Sequence, residues 1–225
     1  VSDIAIGYLI SLSRQIHNID NGTKNGKWLK PCGQSLYGKK VCLIGFGDIG
    51  RCTARKLLAF NLNVYVSDPG FKQNINNEII CLYNSKLKIN KNLYNIKLKS
   101  LDECVSNCDY IIITCALNKS TKYLVNKELI LKTKKGVKII NVSRGSVVNE
   151  NDLIELLENN FIDSVGLDVF ENEPISINNK LLKFNKCIYG SHNSSNTIEA
   201  VNNTSLKAIN YIYKYINEKY NFNSI

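Results

Sequence analysis

The stretch Lys40-Val41-Cys42-Leu43-Ile44-Gly45-Phe46-Gly47-Asp48-Ile49-Gly50 decides the fold of this 225-residue chain. An apolar run of strand length leads into Gly-x-Gly-x-x-Gly, and a helix-like stretch from Arg51 to Phe60 leads out of it. The glycines permit a tight turn, close approach of backbone to a pyrophosphate, and close packing of helix on strand. The helix start adds unpaired N–H groups and a positive dipole end. A second apolar run, Asn63-Val64-Tyr65-Val66-Ser67, ends in Asp68, about 20 residues past the loop, where a carboxylate accepts ribose hydroxyls and repels a 2′-phosphate. The pattern therefore points to a dinucleotide, NAD rather than NADP. Taken alone, the glycines also fit an ordinary turn, and Asp68 a turn former before Pro69.

Strand and helix patterns alternate outward from this loop: Val41–Ile44, Arg51–Phe60, Val64–Ser67, Leu101–Asn107, Tyr110–Cys115, Val137–Val142, Asn151–Glu158 and Val165–Phe170. Alternation of this kind predicts an α/β protein with a doubly wound parallel sheet of Rossmann type. The runs at 110–115 and 137–142 are almost continuously apolar, as in strands covered on both faces. Upstream, Ile4, Tyr8, Leu12 and Ile16, widened by Ile6, Leu9 and Ile10, predict one long amphipathic helix over Val1–His17. A turn-rich segment, Asn18–Asn25, follows it, and Trp28 reads as a packing residue. Phe71–Lys99 is asparagine- and lysine-rich and reads as a surface excursion without function, with at most one short strand near Ile96–Leu98. A last amphipathic helix is expected from about Thr197 to Tyr220. The expected domains are 1–190 for the dinucleotide and 191–225 for a hinge loop and return helix.

Composition narrows the function. With 44% hydrophobic and 21% charged residues the chain is globular, and it has no apolar run of about 18 residues for a membrane span. The net charge of +10 comes from scattered lysines without arginine clusters, so nucleic acid is not the expected partner, although anionic small molecules are favoured. Of eight cysteines, Cys42 and Cys115 lie in apolar runs and no pair is spaced Cys-x-x-Cys, so reduced thiols are expected. Two histidines, His17 and His192, make a histidine-built metal site improbable. The chain has no methionine and starts inside a helix pattern, which suggests a fragment of a longer product. No signal peptide is visible, and the expected compartment is the cytoplasm.

In open parallel sheets ligands gather at the carboxyl ends of the strands. Ser143-Arg144-Gly145, Asp168-Val169-Phe170-Glu171-Asn172-Glu173-Pro174 and Gly190-Ser191-His192-Asn193 follow three such ends and supply a cation, an acid and a base. Histidine suits proton exchange near neutral pH, with a free pKa of about 6.5. A carboxylate partner favours the imidazolium, and arginine offers a planar fork for a substrate carboxylate. Separately, Arg144 could cap a strand or pair with Glu150, Glu173 could be a solvated turn acid, His192 a satisfied loop histidine, and Asp168 a binder of backbone amides.

With these strings, Gly26-Lys27-Trp28 and Asn141-Val142-Ser143-Arg144-Gly145, the sequence resembles the D-isomer-specific 2-hydroxyacid dehydrogenases over nearly its whole length. The resemblance implies an NAD-dependent oxidoreductase acting on a D-2-hydroxy acid or its 2-keto acid, with phosphoglycerate-like substrates ahead of glyoxylate or hydroxypyruvate. Arg144 would bind the substrate carboxylate and polarise its carbonyl, Glu173 would pair with His192, and His192 would be the general acid/base. Gly45, Gly47, Asp48, Ile49, Gly50, Asp68, Ala116 and Ser143 would hold the cofactor, with Asp168 beside the nicotinamide carboxamide. By analogy the opening helix, an apolar stripe outside the sheet layers, implies a homodimer. The family's N-terminal substrate domain would precede this chain, and the terminal helix would belong with it, leaving Val201, Leu206, Ile209 and Ile212 exposed. Departures from the family pattern are Ser191, Asn193 and Ser194 around His192, Ala116 for proline and Thr114 for histidine. An NAD-sensing scaffold of the same fold, or an inactive relative, is the alternative.

Overall fold

The computed structural model describes residues 1–70 and 96–220. The described residues divide into two units, Val1–His192 and Asn193–Ile225. The first holds seven strands: β1 (Lys40–Ile44), β2 (Asn63–Ser67), β3 (Ile96–Leu98), β4 (Tyr110–Ile113), β5 (Val137–Asn141), β6 (Ile162–Leu167) and β7 (Ile188–Tyr189). They form one sheet in the order β3-β2-β1-β4-β5-β6-β7, and every neighbouring pair is parallel. The order reverses between β1 and β4, the switch point at which doubly wound sheets open a crevice for ligands.

Period-two alternation splits the core. Val41, Leu43, Tyr110, Ile112 and Ile140 face one layer, and Cys42, Ile44, Ile111, Ile113 and Ile139 face the other. Every residue of β4 and β5 is buried, which matches their almost continuously apolar sequences, and each fully buried isoleucine contributes about 1.5–3 kcal/mol. Helices α3 (Asp48–Ala59), α4 (Leu101–Val105), α5 (Lys127–Ile130) and α6 (Glu150–Glu158) link the strands. Ser100 and Glu103 close a reciprocal capping box on α4, so even this five-residue helix has its first amides satisfied.

The opening segment differs from expectation. Helix α1 (Ser2–Arg14) stops at Gln15, whose φ of 53° is left-handed, and α2 (Ile16–Lys24) runs through the segment read as turns. Leu29 packs so closely on Gly22 that a Cβ there would lie 2.5 Å from its Cδ1, a tertiary contact that favours helix where local composition does not. Nor does α1 stand outside the sheet layers. Ala5, Ile6, Leu9 and Leu12 are buried with Leu43, Ile112 and Ile140, so the stripe read as a dimer contact is consumed within the chain, and Ile4 and Ile16 are left exposed. Trp28, expected to pack, is 81% exposed, because its extended segment runs outside both cores.

Strand β6 begins and ends three residues before the expected Val165–Phe170. Its polar start is tolerated because the Asp163 carboxylate pairs with Lys138 Nζ of β5 at 2.9 Å. The short strand expected near 96–98 is β3, whereas residues 71–95 of the expected excursion lie outside the described residues. The second unit is built on α7 (Ile198–Tyr220), where Val201, Leu206, Ile209 and Ile212 are exposed: a single helix has no partner within its own unit for an apolar stripe. Among the described residues no helix is long and apolar enough to cross a membrane.

Candidate active site

The glycine loop turns sharply between β1 and α3. Gly45 has φ +96°, and a Cβ on it would lie 2.5 Å from the Cys115 amide nitrogen, so backbone alone fits there. A Cβ on Gly50 would lie 2.3 Å from the Gly45 carbonyl oxygen, which is why α3 sits so close to the loop. Gly47 is the opposite case. Its Cβ position is open, no side chain caps α3, and the first-turn amides are left to solvent or a ligand. The Thr114 hydroxyl, at the end of β4, donates to the Gly45 carbonyl at 2.9 Å and pins the turn.

The Asp68 carboxylate ends β2 and accepts from the Phe46 amide at 2.6 Å and the Gly70 amide at 2.8 Å. The second strand's acid is thus fastened to the glycine loop. Between them opens a cleft of about 850 Å³, lined by Gly45, Gly47, Asp48, Ile49, Asp68 and Ala116, with Leu101 and Leu124 among its apolar walls. These features fit a dinucleotide: an uncapped helix start, space where a side chain would stand, and a carboxylate held at the end of the second strand. Gly50 lies behind the turn. Ser143 is buried, and its hydroxyl donates to Asn141 Oδ1 at 3.0 Å.

A second set of residues follows β5, β6 and β7. Asn141, 1% exposed, closes the turn after β5: its Oδ1 accepts from the Ser143 amide and its Nδ2 donates to the Arg144 carbonyl, each at 3.0 Å. The next residue, Gly145, presses on the chain after β6, where a Cβ would lie 1.9 Å from the Phe170 carbonyl. Arg144 is exposed and forms no ion pair among the described residues. Glu150, its alternative partner, instead accepts from the Glu171 amide at 2.6 Å while Glu171 accepts from the Glu150 amide at 2.7 Å.

Glu173 is exposed, yet two partners hold it. Its Oε1 accepts from the Phe170 amide at 2.9 Å, and its Oε2 lies 2.6 Å from His192 Nδ1. Burial pushes the carboxyl up, but the hydrogen bonds from His192 and the Phe170 amide, with the charges of His192 and Arg144, outweigh it and hold Glu173 below the usual carboxylate range. His192 has φ 55°, rare for a residue with a side chain, and its amide donates to the Asp168 carbonyl at 2.7 Å. Asp168 itself is 2% exposed. Arg144, Glu173 and His192, from three strand ends, therefore share one electrostatic neighbourhood.

Residues 6–194 match the model of the D-isomer-specific 2-hydroxyacid dehydrogenase NAD-binding domain. The chain belongs to this family. It is 31% identical over 218 residues to a hydroxypyruvate reductase of Thermotoga maritima, a match covering 95% of this chain and 65% of that protein. With D-3-phosphoglycerate dehydrogenase of Bacillus subtilis it shares 32% identity over 207 residues, covering 91% and 36%. The crystal structure of a glyoxylate reductase from Paecilomyes thermophila superposes with a TM-score of 0.80 at 29% identity, covering 96% of this chain and 61% of that one. The chain thus spans between about a third and two thirds of the length of these relatives.

As in the expected NAD-binding domain, the glycine loop and Asp68 come together across β1 and β2. Asn141 and Gly145 were not singled out from the sequence, although both stand in the family-like string 141–145. Their signal was present as an amide closing an apolar strand and a glycine four residues on. All described cysteines are free thiols, and among the described residues no group of three or more His, Cys, Asp or Glu side chains could hold a metal ion.

Proposed function

We propose that this protein is an NAD-dependent oxidoreductase interconverting a D-2-hydroxy acid and its 2-keto acid, with phosphoglycerate-like substrates first. The observation that carries the reading is the Glu173–His192 pair beside Arg144. With Nδ1–H donating to Glu173 Oε2 at 2.6 Å, Nε2 is the nitrogen that exchanges a proton with substrate. Glu173 orients the ring, and its own place is set by the Phe170 amide. Arg144 binds the substrate carboxylate through its planar fork and polarises the neighbouring carbonyl. Gly45, Gly47, Asp48, Ile49, Gly50, Asp68 and Ala116 hold the adenosine and pyrophosphate portions of the cofactor, Ser143 borders it, and Asp168 stands at the carboxamide. Bound NAD supplies the hydride acceptor or, reduced, the donor.

The positive net charge favours anionic substrates, and the free thiols suit a reducing compartment such as the cytoplasm. A homodimer belongs to the same reading by family resemblance, with Ile4 and Ile16 of the opening segment left exposed. The test is NADH oxidation by the full-length protein with phosphohydroxypyruvate, hydroxypyruvate and glyoxylate, beside Arg144→Ala and His192→Asn. Removing the acid/base is expected to cost about 10²–10⁴-fold in turnover. Turnover unchanged in His192→Asn would sink the acid/base assignment. Tight NADH binding without turnover of any of the three would favour the scaffold alternative.

A further inference from the structure

Tyr8 reaches the carboxyl end of β6 from α1, and two glycines make room for it. Its ring lies on Gly166, where a Cβ would stand 2.8 Å from Tyr8 Cβ and 3.0 Å from Cγ. Beyond the ring, a Cβ on Gly190 would stand 2.4 Å from the Tyr8 hydroxyl and 2.2 Å from Asp168 Oδ1. Gly166 pairs in register with Ile188, and the Gly190 amide continues that ladder by donating to the Leu167 carbonyl at 2.7 Å. The two glycines are thus adjacent-strand positions bordering one slot, which a side chain at either would fill. Through it the phenol donates a hydrogen bond to the Asp168 carboxylate. Burial, then the charge of Asp168 and this bond, push the phenol of half-buried Tyr8 up to about 12, as expected of a donor held against an anion.

We propose that Tyr8 is a positioning residue for the nicotinamide end of the cofactor site, acting through Asp168: its hydroxyl fixes the carboxylate in the orientation that accepts the carboxamide N–H. This rests on the role given to Asp168 above. A short carboxylate at a strand end rotates about two bonds, and a donor delivered by a rigid helix removes that freedom before the ligand arrives. Tyr8 takes no part in proton transfer. Its effect is confined to ligands that carry a nicotinamide.

The experiment measures dissociation constants of NADH and of ADP-ribose, which lacks the nicotinamide, for wild type, Tyr8→Phe, Asp168→Asn and the double variant. Phenylalanine keeps the ring on Gly166 and removes only the hydroxyl. Tyr8→Phe is expected to weaken NADH about tenfold, the loss of one hydrogen bond to a charged group, and to leave ADP-ribose unchanged. In the Asp168→Asn background the same substitution is expected to add nothing for NADH. Unchanged NADH affinity, equal weakening of both ligands, or a loss that persists in the Asp168→Asn background overturns the proposal. Wild type binding neither ligand would overturn the dinucleotide reading itself, an outcome distinct from wild-type binding that Tyr8→Phe fails to alter.

Discussion

Replacing Gly145 by alanine tests whether the catalytic groups depend on how two strand-end turns are packed. The added methyl carbon would lie 1.9 Å from both the Phe170 carbonyl carbon and oxygen, and 2.4 Å from the Glu171 nitrogen. Ordinary contact begins at 3.4 Å, so about 1.5 Å must be found, and every opposing atom is backbone rather than the end of a flexible side chain. The φ of Gly145 is not positive, so the penalty is steric and not conformational. Overpacking of this kind costs about 1–3 kcal/mol, read as a lower urea midpoint. The larger effect is on geometry. Arg144 sits one residue before the contact and Glu173 three residues after Phe170, so moving the turns apart separates the arginine from the pair formed by Glu173 and His192. A displacement of about 1 Å costs on the order of a hundredfold in turnover, so Gly145→Ala should lose at least that much. ADP-ribose binding should be unchanged, because the cleft lies across β1, β2 and β4. The assay pairs steady-state turnover of the full-length protein with ADP-ribose titration and urea unfolding of each variant. An alanine variant that unfolds and turns over like wild type would refute the packing argument.

Asp68→Asn leaves one acceptor oxygen where the Phe46 and Gly70 amides now use two, and removes the charge that repels a 2′-phosphate. The ratio of NADPH to NADH affinity should rise, and an unchanged ratio would remove Asp68 from cofactor selection. The Glu173 carboxyl is held below its ordinary value of 4.5, so it contributes stability that is present above that value and lost as pH falls through the lowered one. The gap in urea midpoint between wild type and Glu173→Gln should therefore close as pH drops below 4.5; a gap that widens in acid would contradict the pairing.

The sequence alone determined the sheet and the dinucleotide end of the site, because both are written in local signals. Almost continuous apolar runs mark strands buried on two faces, glycine spacing marks a tight turn, and an acid closing the next strand is readable from its position. The family strings at 141–145, 166–174 and 192 likewise placed the charged groups at strand ends. What lay beyond the sequence depended on which surfaces the folded chain brings together. The stripe on α1 has one appearance whether it meets a partner or the sheet, and only packing showed Leu9 and Leu12 buried beside Ile112. Asn18–Asn25 reads as turns until Leu29 covers Gly22. Trp28 is apolar enough for a core and lies outside both. Glu173 and His192 meet at 2.6 Å because two turns from different strands converge, and Tyr8 finds Asp168 across some 160 residues because β6 and the residue after β7 each leave a side chain out. Periodicity states which face of an element is apolar; which surface covers it is a property of the assembled layers.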